Sequence, residues 1–256
     1  MDSKVSIEEA KDGRAGWLLP ALFIFIATIM AQLVSLAFGR VDETHSFVTI
    51  VLPSLLFLSI LTLPACLVGS VLGPRVSLGA PRISALFSRK RLDLKTLIEG
   101  VMPAIMLSVG VGFILILLRI VARPFLPEEL PAFGHRGVIG GLAVSIGAAV
   151  AEEVWFRFGL MTLLVWIASR LMGHTKARPA VIWCVIIISA LVFGSVHLPQ
   201  LISYGAGSSI AVMATILGNL LVGVLYGWCY WKQGLVVAII SHFTVDVVLH
   251  VLPALF

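Results

Sequence analysis

Residues 149–161 read AVAEEVWFRFGLM, which sets two carboxylates and a guanidinium, Glu152, Glu153 and Arg157, inside the apolar run 138–170. A run of that length is a membrane helix, since about 20 apolar residues cross a hydrocarbon core of roughly 30 Å. Each charge at the centre of such a helix costs about 3 kcal/mol on insertion scales, so the three are paired or functional. At about 100° per residue, Glu153 and Arg157 share a helix face and can form an ion pair, while Glu152 points elsewhere. The spacing predicts a structural pair, Glu153 with Arg157, and a separate Glu152 free to project into a cavity and titrate.

Outward from this stretch, apolar segments recur at 17–37, 47–72, 97–121, 179–197, 209–231 and 234–254. Together with 138–170 they predict an all-α, polytopic transmembrane helix bundle of seven spans. The count becomes eight if the long fourth segment breaks near Gly147. Composition agrees: the chain is 59% hydrophobic and 12% charged, with a mean hydropathy of +1.08. Its 256 residues leave no room for a separate soluble domain. The expected organisation is a cytoplasmic N-terminal tail (1–16), three N-terminal transmembrane helices (17–121) and a C-terminal helix bundle (138–254). Near 85–100, the stretch SRKRLDLKTLIEG (88–100) interleaves basic and apolar residues, as an amphipathic helix resting on an anionic leaflet does.

The net charge of +5 does not point to nucleic acid, because the basic residues sit in short loops between apolar segments. Seven spans place thirteen of the eighteen basic residues on one side of the membrane, which predicts a cytoplasmic N-terminus. The expected location is the plasma (cell inner) membrane, with lipid as the constant partner. The run beginning at Trp17 follows Lys11 and Arg14 but shows no clear cleavage site, so it reads as an uncleaved first span. Cys66, Cys184 and Cys229 each lie in an apolar segment without paired spacing, and read as free, buried thiols.

Two further motifs carry ionisable groups. The fifth segment ends LVFGSVHLPQ (191–200), with Phe193 and His197 four apart and the imidazole at a helix end before Pro199. Alone, His197 also reads as an interface or capping residue. The last segment contains AIISHFTVDVVLH (238–250), where His242 and Asp246 share a face in an apolar run. A carboxylate against one imidazole nitrogen fixes the tautomer and raises basicity, as metal-ligand and acid/base histidines require. Jointly, three spans supply two acids and two imidazoles able to face one cavity. The spacings Gly137xxxGly141 and Gly223xxxGly227 predict close helix packing. His45, His135, His174 and His250, with the aromatics at 226–231, read as loop, core or interface residues. Asn219 is able to bond between helices.

Glu-Glu-x-x-x-Arg, Phe-x-x-x-His and His-x-x-x-Asp/Asn, in this order and in separate spans, resemble the CPBP family. These are the CAAX protease and bacteriocin-processing membrane proteins, also called the Abi family. The resemblance covers roughly residues 138–254. It implies an intramembrane CAAX prenyl protease-like endopeptidase that hydrolyses a peptide bond of a membrane-associated or lipidated peptide. By the resemblance, Glu152 activates the hydrolytic water, His197 assists it, and His242 and Asp246 stabilise the oxyanion. Relatives often carry asparagine at the last position, and an ionised Asp246 would repel an oxyanion. Either Asp246 is protonated, or it orients His242, or Glu152, His197, His242 and Asp246 form an N2O2 set binding a divalent metal such as zinc. The motifs of membrane zincins, rhomboids and intramembrane aspartyl proteases are missing. Other classes able to use buried charges are a proton- or ion-coupled transporter and a non-catalytic scaffold or immunity protein of the same fold.

Overall fold

The computed structural model describes residues 16–38, 47–88, 94–174 and 177–256. These residues form helices and turns with no strand among them, and seven helices are long and apolar enough to cross a membrane. The N-terminal tail, His45 and the centre of the interfacial segment near 85–100 lie outside the described residues.

Two helices, α1 (Leu18–Phe38) and α2 (Phe47–Leu72), make the first hairpin of spans, and a short helix, α3 (Pro81–Leu86), follows a 3-10 turn at Gly73–Val76. The third span is α4 (Leu94–Ala122). The fourth begins as α5 (Gly137–Glu152), widens into a π-helical segment at Glu153–Met161, and ends as α6 (Thr162–Leu171). Then come α7 (Pro179–Ser195), the short α8 (Leu198–Ser203), α9 (Ser209–Gln233) and α10 (Leu235–Asp246), the last continuing as a second π segment at Val247–Val251.

The fourth span does not break at Gly147. That glycine is buried in an unbroken helix because a Cβ there would stand 2.5 Å from the Cβ of Ser35, so it lets α1 lie against α5. The irregularity falls instead at the π segments, which are rare and cluster at functional sites. One starts immediately after Glu152 and the other immediately after Asp246.

With lipid as solvent, apolarity alone does not drive helices together, so small residues and polar bonds decide the packing. A Cβ on Gly141 would meet the His250 carbonyl oxygen at 2.5 Å, and one on Gly223 would meet the Ala190 Cβ at 2.7 Å. Gly227 is similarly close to Ile186. Gly137 differs from the packing expectation: it has φ +70° and open space around its Cβ, so it sets the left-handed turn that begins α5. Hydrogen bonds of 2.7 Å between Ser108 and Ser241 and between Thr162 and Tyr230 tie α4 to α10 and α6 to α9. Cys66 and Cys229 are buried, but Cys184 is exposed on α7, on the face left for lipid.

Candidate active site

The first π segment is pinned to four neighbouring helices. Trp155 donates its indole N–H to Thr62 of α2 (3.0 Å), and Arg157 donates from Nη2 to the Gly223 carbonyl of α9 (3.2 Å). Gly159 lies where a Cβ would be 2.8 Å from that of Ala65, and Phe156 packs edge-on to Phe193 of α7 at 5.2 Å. The remaining pin is electrostatic and reaches α10.

Glu153 and Arg157 are both 0% exposed, with Glu153 Oε1 3.3 Å from Arg157 Nη1. The guanidinium also lies over the rings of Phe193 (4.6 Å) and Tyr226 (5.3 Å), which supply cation–π attraction where no water reaches. The same Glu153 oxygen accepts a 2.9 Å hydrogen bond from His242 Nδ1. The pair is therefore more than a structural brace: it fixes one nitrogen of the imidazole.

The other nitrogen, His242 Nε2, lies 3.8 Å from Glu152 Oε2 and 3.6 Å from Asp246 Oδ2. Both separations exceed a hydrogen bond, so among the described residues Nε2 has no close partner and is left for water or a ligand. Glu152 and Glu153 thus flank one ring from its two nitrogens, although adjacent residues of a helix diverge. Tyr226 stacks on His242 with centroids 4.4 Å apart and planes inclined by 12°, and Phe193 meets the ring edge-on at 6.0 Å.

His197 ends the turn between α7 and α8. Its Nδ1–H donates to the Phe193 carbonyl at 2.7 Å, so in the neutral ring Nε2 is the acceptor. Glu152, His197, His242 and Asp246 all line one cavity of about 610 Å³, in the size range of small-ligand sites. Its wall is mainly apolar and includes Tyr226 and Asn219, and its mouth carries Arg119, His135 and Arg136. His135 and His250, read from sequence as loop or packing residues, also border it. Asn219 bonds the Thr215 carbonyl one turn back, within its own helix rather than between helices.

From sequence, Tyr226 reads as one of the core or interface aromatics at 226–231 and Glu153 only as half of a structural pair; the stack on His242 and the second role of Glu153 emerge from the structure. Tyr226 follows Asn219 by seven residues, two turns along one face of α9, and that spacing was its only signal in the chain. For a divalent metal, His242 Nδ1 is committed to Glu153, and among the described residues no three His, Cys, Asp or Glu groups gather closely enough to hold an ion.

Residues 135–248 match the family model described as Type II CAAX prenyl endopeptidase Rce1-like. No curated protein and no solved structure matches the chain. The matched region contains every member of the acid–imidazole cluster, and this part of the chain, residues 135–248 of 256, is similar to the Rce1-like CAAX endopeptidases.

Proposed function

We propose that the chain is an intramembrane endopeptidase that hydrolyses a peptide bond of a membrane-associated or lipidated peptide, using water activated by Glu152. The observation that carries this reading is the facing of Glu152 and an uncommitted His242 Nε2 at 3.8 Å inside an apolar cavity that also receives His197 and Asp246.

In the proposed sequence, Glu152 takes a proton from a water whose oxygen attacks the carbonyl carbon, and the Nε2 lone pair of His197 shares in positioning and deprotonating that water. His242 acts doubly protonated: Nδ1–H donates to Glu153, and Nε2–H donates to the oxyanion. When the tetrahedral intermediate collapses, the C–N bond breaks and the proton held by Glu152 passes to the leaving amine. Because Glu153 already holds His242 Nδ1, Asp246 is not needed as its orienting group there. Its carboxyl is assigned to the reacting oxygen, as a protonated donor.

No step in this sequence runs through a metal. Hydrolysis in heavy-oxygen water is expected to place one labelled oxygen in the new C-terminal carboxylate of a membrane-anchored peptide, with or without a chelator present. Loss of cleavage on chelation, restored by zinc, would replace the proposed mechanism with a metal-assisted one.

A further inference from the structure

A second cavity, of about 1040 Å³, lies at the other end of the bundle from the mouth of the first. The chain builds it by a tight crossing. Ser77 at φ 59° and Gly79 at φ 136° turn the segment after α2 back on itself, and the Leu235 N–H donates to the Gly79 carbonyl at 3.0 Å. Gly234, at φ 82°, sits where a Cβ would be 2.7 Å from Pro81, so the turn between the last two spans presses directly on this loop. Arg82 closes the crossing by donating to the backbone carbonyl and to the side-chain Oε1 of Gln233.

Three cations, Arg75, Arg82 and Lys232, line this cavity, and among the described residues no carboxylate does. None of the three forms an ion pair among the described residues, and Lys232 lies over the ring of Trp231 at 3.8 Å. Burial pulls the pKa of the Arg82 guanidinium below its ordinary value. The Ser70 hydroxyl, also on the wall, is buried without a hydrogen-bond partner among the described residues. Positive charge and a spare donor therefore await an anion rich in acceptor oxygens. Trp17 and Trp231 flank the site, as aromatic side chains do at headgroup depth, while Ile24 and Phe158 make its floor apolar. The cavity faces the side of the membrane that receives thirteen of the eighteen basic residues, the side an anionic leaflet favours.

We propose that this cavity binds the phosphate headgroup of an anionic phospholipid, with Arg75, Arg82 and Lys232 on the phosphate and the glycerol and upper acyl carbons against Trp17 and Phe158. A free phosphate shares the charge but not the apolar contacts, and the apolar floor favours the lipid.

The test uses the full chain in phosphatidylcholine nanodiscs, with binding of fluorescent phosphatidylglycerol as the readout, so that it is independent of peptide hydrolysis. Saturable binding is expected, weakened at least about tenfold by Arg75→Gln combined with Lys232→Gln and unchanged by Arg123→Gln at the opposite end. Both substituted positions are exposed, so the lipid-free Tm should stay at the wild-type value. Equal affinity in the double variant would overturn the site. Full competition by inorganic phosphate alone would overturn the lipid as its ligand.

Discussion

Glu153 carries two loads on one oxygen, the guanidinium of Arg157 and the Nδ1–H of His242. Removing one partner of a buried pair strands the other, at a cost of about 3–5 kcal/mol. Glu153→Ala is therefore expected to lower thermal stability in detergent by about that much, whereas Glu152→Ala, at the cavity wall with His242 Nε2 3.8 Å away, should cost far less. Equal losses in the two variants would contradict the division. At the far end of the cluster, Asp246→Asn keeps an N–H donor for the reacting oxygen. It should retain activity in a peptide-cleavage assay, while Asp246→Ala should lose it. Tyr226→Phe preserves the stack on His242, but Tyr226→Leu removes a ring contact worth about 0.5–1.5 kcal/mol and frees the imidazole. The leucine variant should therefore be the less stable and the less active of the two. The i, i+4 ion pair and the solitary Glu152 were legible in the sequence because both are local helix geometry. The bond from Glu153 to His242 spans 89 positions, and no spacing rule reaches across that separation.

At the level of elements, the π segments explain where local reasoning stopped. Hydrophobic periodicity assumes a constant turn, and the runs following Glu152 and Asp246 abandon it. Span number and approximate ends were still readable, since those depend on length and hydropathy rather than on angular register. The widened turn is held by side-chain pins, among them the 3.1 Å bond from the Thr162 hydroxyl to the Arg157 carbonyl. Glycine contacts set the separation of the helices that carry the site. Gly223→Ala would drive a methyl into Ala190 and shift the carbonyl that receives Arg157, at about 1–3 kcal/mol. Gly110 faces open space on α4, and Gly110→Ala is expected to be neutral or stabilising in the same thermal assay. Glycine spacing alone could not separate the packing glycines from Gly137, whose role is a left-handed turn.

For the whole molecule, the usual partition of a soluble protein is inverted. Large apolar side chains such as Leu52 (75% exposed) face outward, while Glu153 and Arg157 are fully enclosed. The cavity that holds Glu152 and His242 opens among Arg119, His135 and Arg136, at the loop that follows the third span. Counting spans puts this mouth on the opposite face from Arg75 and Lys232. With the native cysteines replaced, Ala132→Cys and Ser88→Cys should therefore react with an impermeant maleimide from opposite sides of sealed vesicles. Labelling of both from one side would undo the arrangement. The site itself is tested most directly by cleavage, in proteoliposomes, of an anchored peptide bearing a prenylated cysteine followed by three residues. The wild-type chain should release the C-terminal fragment. Glu152→Gln should slow release by at least about 10²-fold at an unchanged Tm. Release by Glu152→Gln at the wild-type rate would contradict the assignment of Glu152 as the group that activates water.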